Sequence, residues 1–239
     1  TVGPMAHTAH DVALLLDAID PRFHCADRLS ANLARVTIGV PTDDFFWQDS
    51  NYQVVSAVRA AIETLSEMGA AVIEVSLPMI EEALRAAGII SLADAAAYHH
   101  QRLAESPERF GDDVRARLQH GAKRSAVEYA QARQAGREWR IALQAMFSEG
   151  ISLLALPTTP QVAPEIALAE GVSAARELLR FTYPFSLSGL PALSVPCGFT
   201  VEGLPIGLQL VAPDECVALN VAHAYQQVTD WHTRRPLIL

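Results

Sequence analysis

Two apolar runs, 192–199 (ALSVPCGF) and 205–212 (PIGLQLVA), flank the turn-prone pair Glu202-Gly203, with Pro and Gly where strands start and stop. This pattern predicts a β-hairpin. In the second run Ile206, Leu208 and Leu210 alternate with Gly207, Gln209 and Val211, which makes one face richly aliphatic and the other mixed. A hairpin with such a face needs a larger sheet to cover it, so the rest of the chain has to supply further strands and helices.

Strands are predicted at 36–41 (VTIGVP) and 70–77 (AAVIEVSL). Between them Val54, Val58, Ile62 and Leu65 line a helix that Gly69 ends, and this crossover is long enough for parallel pairing. The continuous run 151–156 (ISLLAL) suits a strand buried on both faces. Pro157-Thr158-Thr159-Pro160 ends it and places two hydroxyls at a strand end, where α/β sheets commonly form crevices. The fold class is α/β, a mixed central β-sheet flanked by helices on both faces. No Gly-x-Gly-x-x-Gly follows the first strand, so a dinucleotide site is not indicated.

Helix signals fall between the strands. Thr8 and Asp11 form a capping pair, with Val12, Leu15, Leu16 and Ile19 on one face and Pro21 as the stop. Residues 79–121 are helical, with interruptions expected at Gly88 and Pro107. Ser125 and Glu128 form a capping box ahead of a stripe of Tyr129, Trp139, Leu143, Met146 and Phe147, closed by Gly150. A short helix is expected at 174–180, leading into the hairpin. Pro213 and Asp214 open a last helix with Val217, Val221, Tyr225 and Val228 inward.

The 239 residues are 50% hydrophobic, enough for a full core, and carry a net charge of −9 with no cluster of Lys and Arg among aromatics. Nucleic acid is therefore not an expected partner. Neither is a membrane, because no run of about 20 apolar residues occurs. Cys25, Cys197 and Cys216 are odd in number and widely spaced, which fits three structural thiols in a reduced, cytoplasmic protein. His7 and His10 lack a third clustered ligand, and adjacent His99 and His100 point in different directions on a helix, so no metal or other cofactor is expected.

The stretch ending in the hairpin reads PF-x-L-x-GLPALSVPCGF followed by GLP-x-GLQLV. It resembles the closing motif of amidase signature enzymes, serine hydrolases that cleave carboxamides. The resemblance extends to TVGPMAHTAHDVALLLD (1–17), LALPTTP (154–160) and TDWHTRRP (229–236), and matches the middle more loosely. It implies a nucleophilic Ser on a Gly- and Ser-rich loop, a second Ser on a cis peptide that relays the proton, and a buried Lys as base. In the family these lie ahead of the segment that TVGPM matches. None is present in this sequence: it has no Ser-Ser and no Gly-Gly, and its one lysine, Lys123, sits beside Arg124 in HGAKRSAVE. A lysine serves as base only when desolvation leaves it neutral. No catalytic residue is assigned.

What the resemblance implies is the C-terminal portion, 1–239, of a single amidase signature domain. Its expected partners are a small-molecule amide substrate and the missing N-terminal half of the same domain. Thr158, Phe181, Thr182 and Phe185 are the residues expected nearest substrate, while Ser186 stands where relatives often carry Asn. A sheet cut off from its other strands exposes edges, so a homodimer is also considered. The alternative within the family is the glutaminase subunit of tRNA-dependent amidotransferases. Those proteins tend to carry an acid just ahead of the closing motif, where this chain has Leu178 and Leu179, with Glu177 close by. Outside it stand a non-catalytic binding module and an N-terminal nucleophile at Thr1.

Overall fold

The computed structural model describes residues 3–166 and 172–235. Thr1, Pro236 and part of the helix expected from residue 174 lie outside what is described, the last for its first side chain. Two compact units form: Thr1–Leu77 with Gln144–Ala163 and Leu190–Leu239, and Pro78–Leu143 with Pro164–Gly189.

The first unit holds strands β1 (Thr37–Pro41), β2 (Ala71–Val75), β3 (Leu153–Pro157), β4 (Ala192–Phe199) and β5 (Pro205–Val211) in the order β2-β1-β3-β5-β4. β1 pairs in parallel with both β2 and β3, and β5 pairs antiparallel with both β3 and β4. The mixed α/β sheet read from the sequence is thus present. β3 tolerates a central place because every residue in it is buried. Leu153 and Ala155 join the core under the sheet, and Leu154 and Leu156 turn to the opposite face. The hairpin follows the reading closely: Gly203 takes φ 85° in the turn, and Ile206, Leu208 and Leu210 enter the core.

Three helices share that core: α1 (Ala9–Ile19), α3 (Tyr52–Glu67) and α9 (Glu215–Val228); the four-residue α2 (Asp44–Trp47) packs its Trp47 against the margin. Asn51 caps α3 by accepting from Gln53 N–H at 2.9 Å, and Val54, Val58, Ile62 and Leu65 are buried as expected. The Thr8 hydroxyl accepts from Asp11 N–H at 3.0 Å. The buried face of α1 differs from the expected one: Ala9, Val12 and Ala13 are inside, while Leu15 and Ile19 are 44% and 60% exposed. Small residues on this face let α1 approach α9 closely, and the Ala9 N–H reaches Gln226 Oε1 at 2.8 Å. Val221 and Tyr225 are buried as expected, whereas Val228, also expected inward, is exposed at the last position of α9.

The cysteine reading is corrected. Cys25 and Cys216 form a disulfide with a Cα–Cα distance of 4.9 Å, and Cys197 alone is free. Cysteine spacing carries no sign of this pairing, because it depends on the segment after α1 and the start of α9 meeting across 191 residues. Both sides are held by carboxylates. Asp17 accepts from Cys25 N–H at 2.7 Å and from Ala26 N–H at 2.9 Å, and these bonds lower its carboxyl below the usual range. Asp214 caps α9 by accepting from Cys216 N–H at 3.0 Å.

The second unit is helical, with α4 (Ile80–Glu105), α5 (Asp112–Gly121), α6 (Ala126–Ser148) as far as Leu143, α7 (Val172–Leu178) and α8 (Tyr183–Ser188). Gly88 does not interrupt α4, because its neighbours continue the helix and a Cβ there would meet nothing within 4 Å. Ser125 and Glu128 exchange the expected capping bonds at 2.8 and 3.1 Å. Ala86, Ala132 and Ala135 pack with Ile89, Ile90 and Leu187, so α4, α6 and α8 meet through small residues. At Gly121 a Cβ would collide with the Leu92 carbonyl group, its carbon being 2.6 Å away. Gly121→Ala is expected to cost about 1–3 kcal/mol, read as a lower urea midpoint, because backbone atoms have to move.

Candidate functional site

Thr158 follows β3 directly. Its N–H donates to Gly207 O at 3.0 Å, and its hydroxyl lies 2.7 Å from that of Ser194 on β4. Gly207 on β5 runs between them, where a Cβ would come within 2.6 Å of Ser194 Oγ and 2.8 Å of Thr158 Oγ1. Three strands thus place a hydroxyl pair over a bare backbone, with Thr158 half-buried and Ser194 exposed. Thr159 Oγ1 donates to Gln161 O at 2.7 Å, and Pro160 O accepts from Asn51 N–H at 2.8 Å, so the loop after the pair is tied down. Such a pair can orient a polar ligand. Nucleophilic attack would need a base beside it, and the partner of each hydroxyl here is the other hydroxyl. Ser194 escaped the sequence reading because its closeness to Thr158 follows from strand register alone.

Phe181, Thr182 and Phe185 come together at the start of α8 in the second unit. Phe181 and Phe185 are fully buried. The Phe185 ring lies 6.1 Å from that of Trp139, whose indole N–H donates to Pro184 O at 2.8 Å. Half-buried Thr182 has its hydroxyl 3.4 Å from Leu179 O. Ser186 is exposed. The α8 helix itself was missed, although Pro184 in its first turn and Gly189 at φ 65° after its last are sequence-visible start and stop signals.

A groove of about 840 Å³, unforeseen from the sequence, runs along β4 in the first unit. Its lining includes His7, Val12, Phe199, Trp231, His232 and Arg234. The Arg234 guanidinium lies 4.4 Å from the Trp231 ring centre and 5.4 Å from that of Phe199, and it pairs with Asp230 at 3.4 Å. Glu202 on the rim has its carboxyl held below the usual range, first by the Thr200 hydroxyl.

Other reactive side chains are poorly placed for chemistry. Lys123 is exposed in the turn between α5 and α6, with its backbone N–H 3.3 Å from His120 O, so it sits outside any buried setting in which a lysine acts as base. Burial pushes the Cys197 thiol up to about 12, which keeps it protonated. Among the described residues no group of three or more His, Cys, Asp or Glu could hold a metal ion, and no helix is long and apolar enough to cross a membrane.

The family model described as Amidase matches residues 1–215. The chain belongs to the amidase signature family. An amidase from Pseudomonas putida is 34% identical over 259 residues, covering 99% of this chain and 55% of its own. A glutamyl-tRNA(Gln) amidotransferase subunit from Chloroflexus aggregans is 36% identical over 273 residues, with 98% and 55% covered. A crystal structure of an amidase superposes with TM-score 0.77 at 28% identity, covering 94% of this chain and 52% of that one. This amidase-family chain therefore spans about half the length of the curated relatives it matches.

Proposed function

We propose that this chain is the scaffold part of an amide hydrolase: it supplies central strands and one wall of the substrate pocket, and the Ser/cis-Ser/Lys centre belongs to the rest of the domain. One observation carries the reading. The chain is matched almost throughout by amidases about twice its length, yet its single lysine is exposed and its serines form no Ser-Ser pair. Thr158 is the wall residue favoured by its geometry, with Ser194 as its hydrogen-bonding companion, and the substrate is a small linear carboxamide. Within the helical unit taken by itself, half-buried Thr182 is the candidate contact, while Phe181 and Phe185, being buried, act only by shaping the unit that carries it. The chain then works in the cytoplasm, where Cys25–Cys216 has to persist against reducing thiols or open.

On simple aryl and aliphatic amides the chain alone is expected to give no turnover above buffer. A turnover abolished by Lys123→Ala would overturn the assignment. A second reading, the glutaminase subunit of a tRNA-dependent amidotransferase, is favoured by the Chloroflexus aggregans relative. It is weakened by Leu178 and Leu179 and by Glu177, whose carboxylate faces Arg180 at 3.5 Å. The two readings separate on substrate. A chimera carrying this chain in place of the matched part of the Pseudomonas putida amidase should hydrolyse simple amides in preference to glutamine.

A further inference from the structure

Residues 20–32 of the first unit lie against α1 and α9 as a flap whose backbone is bonded mainly to itself. Phe23 N–H donates to Asp20 O at 3.1 Å and Arg28 N–H to Cys25 O at 3.1 Å. Among the described residues the flap holds no strand, and its regular structure is the three-residue 3-10 turn Ala26–Arg28. Side chains tie it down instead. Cys25 is bridged to Cys216 on α9, Asp17 on α1 accepts from Cys25 N–H and Ala26 N–H at 2.7 and 2.9 Å, and Asn220 Oδ1 on α9 accepts from Ser30 N–H at 2.6 Å.

The flap covers its own fastening. Cys25 and Cys216 are 0% and 4% exposed, whereas Arg22, His24, Asp27, Arg28 and Ser30 are all exposed. Phe23, Ala26 and Leu29 pack from the flap onto the core, and Leu33 just beyond it is fully buried. Next to the bridge His24 takes φ 51°, the one positive φ of a residue other than Gly among the described residues, so the closed flap holds strained backbone beside the cysteine that fastens it. An exposed segment with few backbone bonds to its surroundings opens locally more readily than a packed core. A reductant therefore reaches the bridge by way of the flap, without unfolding of the unit.

We infer that Cys25–Cys216 is a site of reversible thiol–disulfide exchange, opened by a small monothiol of the glutathione class, and that its opening releases the 20–32 flap, with Asp17 as the latch that slows access. Cys25 rides on the flap and is the sulfur that opening presents. The attacking thiolate bonds to Cys25 Sγ, the Cys25–Cys216 bond breaks, and its electron pair leaves on Cys216 Sγ, which takes a proton from water. A second monothiol then displaces Cys25 from the mixed disulfide. The protein disulfide is reduced to two thiols, and two monothiols are oxidised to one disulfide. Every group involved belongs to the first unit, so the exchange site is independent of the hydrolase reading.

The native chain at neutral pH tests it, with reduced and oxidised glutathione as the probes and thiols counted by alkylation and mass. Reduced glutathione should make two thiols alkylatable with the far-UV circular dichroism unchanged, and oxidised glutathione should restore the bridge. Cys197 stays buried and protonated, so its modification marks loss of the fold. In the reduced chain the amides of Cys25, Ala26 and Ser30 should exchange near the free rate while those of Leu154 and Ala155 in β3 remain protected. Asp17→Asn withdraws the charge from two N–H donors and should speed reduction about tenfold; Asn220→Ala, which frees Ser30 N–H from α9, should act in the same direction. A bridge that glutathione leaves intact until urea unfolds the chain would be a structural staple and overturn the proposal. So would three alkylatable thiols on reduction, or flap amides that keep their protection in the reduced chain. Equal reduction rates in the parent and both variants would overturn the role given to Asp17.

Discussion

Opening the Cys25–Cys216 disulfide, by reductant or by Cys216→Ala, is expected to lower the unfolding free energy by about 2–5 kcal/mol. The bridge spans 191 residues, so in the chain-entropy picture it removes a very large loop from the unfolded ensemble, with about 5 kcal/mol as the upper value. For a chain of this size the loss corresponds to a fall of roughly 10 °C in Tm, measurable by scanning calorimetry with and without a phosphine. Thiol counting provides the control. Unreduced native protein should take up no alkylating agent at neutral pH, because its free thiol, Cys197, is buried and raised to about 12. Unfolding should release one reactive thiol, and reduction three. A Tm indifferent to reductant would mean that the bridge constrains little.

Trp139→Ala should be the most damaging single substitution in the helical unit, at about 3–5 kcal/mol. The side chain is 1% exposed, packs beside Phe185 and satisfies the Pro184 carbonyl through its indole N–H. Trp139→Phe separates the two contributions. It keeps most of the ring volume and strands a buried acceptor, so it should cost about 1–3 kcal/mol. Urea titrations of the three proteins measure both values, and equal losses for Ala and Phe would assign the role to the hydrogen bond rather than to packing.

What the sequence disclosed, and what it hid, follows the range of the interactions concerned. Local rules carried the caps at Thr8 and Ser125, the helix from Tyr52 to Glu67 and the turn at Gly203, each decided by neighbours a few residues away. Continuous aliphatic character marked β3 as central. Failures came where a distant partner decided the outcome. Leu15 and Ile19 look like a core face until α9 takes the alanine side of α1. Cys25 looks unpaired until the chain returns 191 residues later. Of the candidate site, Thr158 was legible from its place at a strand end, but Ser194 and the β4 groove are products of strand register and of segments remote in sequence.

The placement of β3 has a consequence for synthesis. A ribosome that has reached Pro157 has made three strands able to pair in parallel, but the second flank of β3 stays bare until Pro205–Val211 leaves the exit tunnel. The wait is longer for α9, whose Leu219 and Ala222 belong to the same core as Leu33 and Ala13. The nascent chain therefore carries an aliphatic strand with one open side while about fifty more residues are polymerised, several seconds at ordinary translation speeds. Chaperone demand should peak in that interval, and slowing elongation between those two strands should lower the soluble yield.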